Sequence, residues 1–145
     1  MKINLKRPST AEIKANLGIQ KYGPAHAYLT NTCYKHMLSF VPGGTKSQLN
    51  QNVSIDVDNI VYNSPYAHYQ YVGKLYVDPK YKKGAFYSPN YGFWSRPGIS
   101  KIPTRQDLKY HVPGTGAYWD KLMWSSKKNQ VIKEVQEYID RGCKR

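Results

Sequence analysis

The 145-residue chain lacks any stretch of about 18 consecutive apolar residues, the length that spans a bilayer. Residues 1–8 turn polar before the apolar core of a signal peptide could form. We therefore expect a protein that is made in the cytoplasm and has no membrane partner. Cysteine is scarce too: Cys33 and Cys143 lie far apart and outside any metal-ligand spacing. A disulfide is allowed in principle, but free thiols are expected in a reducing compartment.

The residue types that usually carry catalysis are few and scattered. The nine carboxylates form no cluster suited to two-metal nuclease chemistry. Segment 41–47 lacks the spacing of a phosphate-binding loop and follows a predicted helix instead of a strand. The histidines show no spacing that would bring two imidazoles from one helix to a metal; they are His26, His36, His68 and His111. The sequence predicts no catalytic, metal-binding or cofactor-binding residue, and therefore no enzyme.

Basic residues are abundant, with 22 Lys and Arg against nine Asp and Glu and a net charge of +13. Within residues 74–110, eight basic residues face only Asp78 and Asp107, a balance of +6. The electrostatic field of such a positive excess attracts polyanions, and salt weakens this attraction. A role of the lysines and arginines in keeping the protein soluble explains the excess equally well. The candidates for contact with DNA or with a neighbouring subunit are Lys80, Lys82, Lys83, Arg96, Lys101 and Arg105.

The length and the 40% hydrophobic content predict one domain over residues 1–145. A first helix is expected from a cap at Thr10 to a stop at Gly18. A second begins at Pro24 and ends before residues 42–44, with His36 as a packed, hydrogen-bonded histidine. Its apolar face is predicted to comprise Leu29, Cys33, His36, Met37 and Phe40.

Alternating residues predict a hairpin over 53–57 and 60–62, followed by a helical turn over 66–71, a stop at Gly73 and a strand over 75–77. Near the end of the chain, Trp119 opens a short apolar face, and Ser125 or Ser126 is expected to cap a final helix that stops at Gly142. We expect this final helix to pack against the hairpin.

Residues 80–113 are rich in proline, glycine and aromatic residues and show no helical period. An irregular loop of about 30 residues is unusual in a compact domain, and its aromatic content argues against free disorder. We interpret residues 74–112 as an extended aromatic and basic arm that is ordered by packing on a neighbour. The stacking of unpaired bases on the aromatic rings is the second interpretation.

Short motifs follow one another in a defined order between Tyr28 and Gly73 and again over residues 113–120. Their order and spacing resemble the minor capsid, or tail-completion, family of long-tailed phages. The residues that carry the resemblance are Val41, Pro42, Thr45, Leu49, Ser54, Ile55, Pro65, Tyr66, Ala67, Gln70, Tyr71, Gly73 and Trp119.

The resemblance implies a virion structural protein with an α+β fold, in which N-terminal and C-terminal helices pack on a small antiparallel sheet. Its expected place is the neck, in a homomeric ring of six or, alternatively, twelve subunits between the head-closure (connector) protein and the tail terminator. DNA passes through such a ring, so nonspecific contact with packaged DNA is expected. The alternative is a nonspecific nucleic-acid-binding protein that uses residues 74–110.

Overall fold

The computed structural model describes residues 9–44 and 47–144, and these ranges contain five helices and six strands. The helices are α1 (Thr10–Leu17), α2 (Pro24–Met37), α3 (Gln48–Gln51), α4 (Ala67–Val72) and α5 (Trp119–Asp140). The strands are β1 (Val53–Ile55), β2 (Ile60–Tyr62), β3 (Lys74–Val77), β4 (Phe86–Ser88), β5 (Gly92–Trp94) and β6 (Ile102–Asp107). They pair antiparallel as β1–β2, β3–β6 and β4–β5. The predicted α+β class with helices at both ends is confirmed, with three two-stranded sheets in place of one.

The hydrophobic core lies where α2 packs against α5. Val41, just beyond α2, and Val131 of α5 are fully buried. The buried members of this core are Met37, Val41, Leu49, Ala67, Trp119, Met123 and Val131. Burial of one large apolar side chain contributes about 1.5–3 kcal/mol, so this helix pair supplies much of the free energy of folding.

The face of α2 that meets the core differs partly from the predicted one. Met37 is buried and Cys33 packs against the core, as expected. Leu29 is exposed, and the ring of Tyr28 stacks on Tyr138 of α5 with centroids 4.0 Å apart. The first half of α2 therefore meets α5 through an aromatic pair one residue away from the predicted position.

A polar contact also joins the two helices. Glu134 of α5 accepts a hydrogen bond from Lys35 Nζ at 2.6 Å and lies 2.8 Å from His36 Nε2. The Lys35 ammonium, and to a smaller extent His36, hold the pKa of Glu134 below its ordinary value. The prediction of a packed, hydrogen-bonded His36 is confirmed, and its partner comes from the other end of the chain.

The final helix runs without a break from Trp119 to Asp140, so the predicted new cap at Ser125 or Ser126 is wrong. The Ser125 hydroxyl donates to the Leu122 carbonyl within the helix, and no proline or glycine interrupts this segment. Its main packing partner is α2, which corrects the expectation that it packs on the hairpin. Trp119 does reach the hairpin, where its ring meets Tyr62 edge-on at 5.2 Å.

The first helix is well capped but buries none of its residues. Ser9, one position before the predicted Thr10, accepts the Glu12 N–H, and the Glu12 carboxylate accepts the Ser9 N–H. Gly18 ends the helix in the left-handed conformation, as predicted. Local capping therefore defines α1, and its apolar side chains stay available to solvent.

Both cysteines are free thiols, as expected. Burial raises the pKa of Cys33 above its ordinary value, which disfavours the reactive thiolate. Cys143 donates a hydrogen bond to the Leu17 carbonyl at 3.2 Å and ties the end of the chain to α1. Within the described residues, no helix is long and apolar enough to cross a membrane.

The predicted hairpin, helical turn and third strand are confirmed as β1–β2, α4 and β3. Gly73 joins α4 to β3 with a φ of +73°, a region that glycine enters at little cost. A Cβ at this position would lie 2.6 Å from the Ala117 Cβ and 3.0 Å from the Tyr110 hydroxyl. The junction thus requires glycine for conformation and for space.

We predict that Gly73→Ala lowers the free energy of unfolding by about 2–5 kcal/mol, the sum of left-handed strain and overpacking. Gly98→Ala is the matched control, because Gly98 has a φ of +68° but no atom within 4 Å of the added Cβ. The control should lose only about 1–2 kcal/mol in urea unfolding. Equal losses in the two variants would show that the contact with Ala117 is unimportant.

Candidate functional site

Residues 74–107 contain two strand pairs, one nested in the other along the chain: β3 with β6 and β4 with β5. We call this segment the ribbon, with β3–β6 as its base and β4–β5 as its tip. The prediction that residues 80–113 lack regular structure is therefore wrong for β4, β5 and β6. Pro103 lies within β6 opposite Tyr76, and the register shifts between Lys74 and Tyr76. Proline is uncommon in strands, so the proline-rich composition suggested a loop. It is tolerated here because sheet edges and bulges accept it.

The base of the ribbon is fixed by its own chain. The Thr104 hydroxyl donates to the Leu75 carbonyl at 2.8 Å, and the Leu108 N–H donates to the Gly73 carbonyl at 2.9 Å. Lys74 and Asp107 form an ion pair across the strands. This part of the predicted arm is ordered by contacts within its own chain, which corrects the interpretation of an arm that is ordered by packing on a neighbour.

An ion pair between a buried carboxylate and a half-buried guanidinium connects the base to the tip. The Asp78 side chain is 4% exposed and accepts two hydrogen bonds from Arg96, from Nε at 2.6 Å and from Nη2 at 2.8 Å. The backbone N–H groups of Lys80 and Tyr81 also donate to this carboxylate. Arg96 is the main reason why the pKa of Asp78 lies well below its usual range. The carboxylate therefore stays charged and holds both sides of the ribbon together.

On one face of the tip, aromatic rings pack on the ion pair. Phe86 and Trp94 stack across the strands with centroids 4.9 Å apart, and Tyr81 meets Phe86 edge-on at 5.5 Å. The Arg96 guanidinium lies 5.1 Å from the Tyr81 ring centroid. The ion pair and the rings thus form one unit that gives the tip a defined shape.

On the opposite face, the aromatic rings point into solvent. Tyr87 and Phe93 are a cross-strand pair with centroids 5.2 Å apart, and they are 66% and 79% exposed. Tyr91 in the turn is 84% exposed. We call Tyr87, Tyr91 and Phe93 the aromatic tip. Such a patch of large exposed rings on a structured hairpin is typical of an interaction surface.

Four of the six basic candidates lie exposed on the ribbon. Lys80, Lys82 and Lys83 share the loop between β3 and β4, and Arg105 is on β6. Among the described residues, no carboxylate lies within ion-pair distance of these four side chains. Lys82 has a left-handed φ of +55°, which is uncommon for a residue with a Cβ. Their proposed contact with DNA or a neighbour stays a prediction.

The other two basic candidates are occupied within the chain. Arg96 binds Asp78, and Lys101 Nζ donates to the Gly84 carbonyl across the ribbon. Sequence reasoning identified these cations but missed Asp78 as the partner of Arg96 on the opposite side. An Asp-Pro pair at a strand end does indicate a turn, yet it gives no information about a guanidinium 18 positions away.

The residues that carry the family resemblance differ in how deeply they are buried. Val41, Leu49, Ala67 and Trp119 meet in the core, and Tyr71 packs against it. Thr45 lies outside the described residues. Pro42 and Gly73 are buried and Gln70 is half-buried, whereas the exposed members are Ser54, Ile55, Pro65 and Tyr66. The structure therefore gives most of these residues a role in folding.

Within residues 9–44 and 47–144, no three or more His, Cys, Asp or Glu side chains are grouped so that they could hold a metal ion. The absence of enzymatic activity stays a prediction. No protein-family model matches the chain, and neither the curated proteins nor the solved structures with which it was compared include a significant match. The ribbon is the strongest candidate for a functional site.

We predict that Asp78→Asn destabilises the ribbon at neutral pH and removes part of the acid sensitivity of folding. The pKa of Asp78 is lower in the native state than in the unfolded chain, where it is about 4. The ion pair therefore contributes fully to the free energy of unfolding above about pH 4, and this contribution is lost as the pH falls further. Urea unfolding at pH 6 and pH 3 measures both effects.

Asp107→Asn is the matched control, because its carboxylate also pairs with one cation but is 75% exposed. Exposed ion pairs contribute little, so this variant should resemble the wild type at both pH values. An Asp78→Asn protein with wild-type stability and an unchanged pH dependence would disprove the role of this ion pair.

Proposed function

We propose that the protein is a structural subunit of a homomeric ring in the neck of a long-tailed phage. In this proposal the ring holds six or twelve copies between the head-closure protein and the tail terminator. The order and spacing of the sequence motifs suggest this class of protein. The observation that carries the proposal is the aromatic tip, which presents three large exposed rings on a structured hairpin.

The total exposed surface is consistent with a subunit of an assembly. The chain has 10843 Å² of accessible surface for a mass of 16.7 kDa. A compact monomer of this mass exposes about 7,600 Å². Even at the value for an unfolded chain, eleven residues such as those outside the described ranges would expose only about 2,000 Å², which is less than the difference. Contacts with neighbours would cover the rest.

A ring requires two different surfaces on each subunit, because head-to-tail contacts join one patch to another. Besides the aromatic tip, the chain exposes Ile13 and Leu17 on α1 and Trp124 and Ile132 on α5. Isolated short helices are marginal in water, so α1, which buries nothing within the chain, gains most from a neighbour. The proposed lateral contacts therefore involve the tip and at least one of these helix faces.

We predict that the double variant Tyr91→Ser and Phe93→Ser weakens self-assembly while the subunit stays folded. Aromatic side chains at the centre of an interface typically contribute about 2 kcal/mol or more each. The two losses together amount to about 4 kcal/mol, so the subunit dissociation constant should rise by about a thousandfold. Native mass spectrometry across a concentration series would measure the loss of rings, with circular dichroism as the check of folding.

Tyr22→Asn is the matched control, because Tyr22 is 56% exposed but lies outside the ribbon and has a left-handed φ that asparagine tolerates. Rings of six or twelve wild-type subunits that persist in the control and vanish in the double variant are the expected result. A wild-type chain that is monomeric at every concentration, and that binds DNA tightly in a salt-sensitive manner, would overturn the ring proposal.

Nonspecific nucleic-acid binding is the second candidate, and one observation favours it. Lys80, Lys82 and Lys83 are exposed in one loop without carboxylate partners in the described part of the chain. Tyr81 lies between Lys80 and Lys82 in the sequence, and the Lys80 ammonium is 5.2 Å from the centroid of its ring. A short cationic loop of this kind fits the phosphate backbone without reading sequence.

If these lysines contact phosphates, the Lys80→Gln, Lys82→Gln and Lys83→Gln triple variant should lower the salt slope of DNA binding by up to ~0.9 for each phosphate that is no longer bound. Fluorescence anisotropy with two duplexes of unrelated sequence measures this slope. Glutamine at Lys127, Lys128 and Lys133 of α5 is the control with the same change in charge. An unchanged slope in the ribbon variant, or an equal change in the control, would exclude a specific role of the ribbon loop.

A further inference from the structure

A second concave site lies away from the ribbon, at the junction of α5 with α4 and the β1–β2 hairpin. It is a pocket of about 410 Å³ whose walls include Tyr62, Tyr71 and Trp119, with Asp120 and His68 at its edge. The Trp119 ring stands at 72° to Tyr62 and at 86° to Tyr71, with centroids 5.2 Å and 5.0 Å away. The three rings therefore pack against one another in the wall of this pocket, and the Trp119 indole is 3% exposed.

Perpendicular aromatic rings around a small space are the arrangement that encloses cations. The electron-rich ring faces attract an ammonium or guanidinium group, and the attraction grows when the site excludes water. The adjoining ring of Tyr118 already carries a cation, because Lys121 Nζ lies 4.9 Å from its centroid. Tyr118 in turn packs edge-on against Tyr71 at 4.9 Å. The same aromatic cluster thus accepts an ammonium on its outer ring.

Asp120 adds a negative charge at the edge of this pocket. Its Oδ1 accepts the Tyr71 hydroxyl hydrogen bond at 2.8 Å, which fixes the carboxylate beside the rings. Among the described residues, no lysine or arginine forms an ion pair with it. Asp120 is one of five carboxylates that form no ion pair in the described residues, and its position next to the three rings gives the pocket a negative charge that attracts a cation.

The hydroxyl of Tyr62 is buried and has no hydrogen-bond partner in the part of the chain that the structure describes. Burial raises the pKa of Tyr62 to about 12, and the neighbouring Trp119 side chain offsets part of this rise. A buried polar atom without a partner is costly, and a ligand can supply the missing contact.

We propose that the pocket of Tyr62, Tyr71, Trp119 and Asp120 binds an alkylammonium or guanidinium group. The rings that line the pocket contact the cation, and the Asp120 carboxylate neutralises it. The group comes either from a lysine or arginine side chain of a second copy of the chain or from a free small amine. This inference is independent of the neck assignment, since it rests on the pocket alone.

Choline and 3,3-dimethylbutan-1-ol are the probes, because they have nearly the same shape and only choline carries a charge. The Trp119 indole N–H resonance of the full chain, assigned by comparison with Trp94→Phe and Trp124→Phe, reports binding in NMR titrations. We expect choline to bind about tenfold or more tightly than its uncharged isostere. Asp120→Asn should weaken choline binding by a similar factor and leave the isostere unchanged.

Tyr71→Phe keeps the ring but frees Asp120, so it should weaken choline less than Tyr71→Leu, which removes one wall. Equal affinity for both probes, an Asp120→Asn variant with unchanged choline affinity, or no shift of the Trp119 resonance at saturating choline would overturn the proposal.

Native mass spectrometry then distinguishes the two sources of the cation. Oligomers that dissociate with choline and in Asp120→Asn identify a side chain of a second copy, whereas unchanged oligomers identify a free amine.

Discussion

The fold depends on the burial of Trp119 at the first turn of α5, where the indole is 3% exposed. Its ring contacts Tyr62 of the hairpin and Tyr71 of α4, while the same helix packs along α2. Tyr118, one residue before it, adopts a left-handed φ of +50° and donates its N–H to the Tyr71 carbonyl at 2.9 Å. A strained residue of this kind persists only where its surroundings fix it, and the buried indole supplies that constraint.

The two halves of the molecule are stabilised by different forces. Hydrophobic burial between α2 and α5 organises the core, whereas the ribbon buries little apolar surface. Its order comes from directional contacts, above all the two hydrogen bonds between Asp78 and Arg96. Charge-assisted hydrogen bonds fix geometry without requiring bulk, so a narrow hairpin can keep a defined shape while its aromatic face stays free for a neighbour.

The scarcity of acidic residues links the ribbon, the pocket and the proposed assembly. Copies with a net charge of +13 repel each other, so contact between them requires sites that neutralise cations. Asp78, Asp107, Glu134 and Glu137 are already used in ion pairs within the chain. Asp120 has no such pair in the described ranges, and it stands beside aromatic rings that also attract positive charge. The chain therefore combines exposed cations with a pocket of matching chemistry.

The sequence by itself determined the local elements, since capping residues, helical spacing and alternation act over a few positions. The start of α1 to within one residue of the predicted Thr10, Pro24 at the start of α2, the 53–62 hairpin and the stop at Gly73 all follow from such signals. Only the tertiary structure decided which groups meet: Asp78 with Arg96, Glu134 with His36, and Tyr62 and Tyr71 with Trp119. The pairing of β6, which contains Pro103, with β3 likewise could not be predicted from the sequence. Long-range pairing depends on how distant segments pack, and residues far apart in sequence carry no local pattern that records their contact.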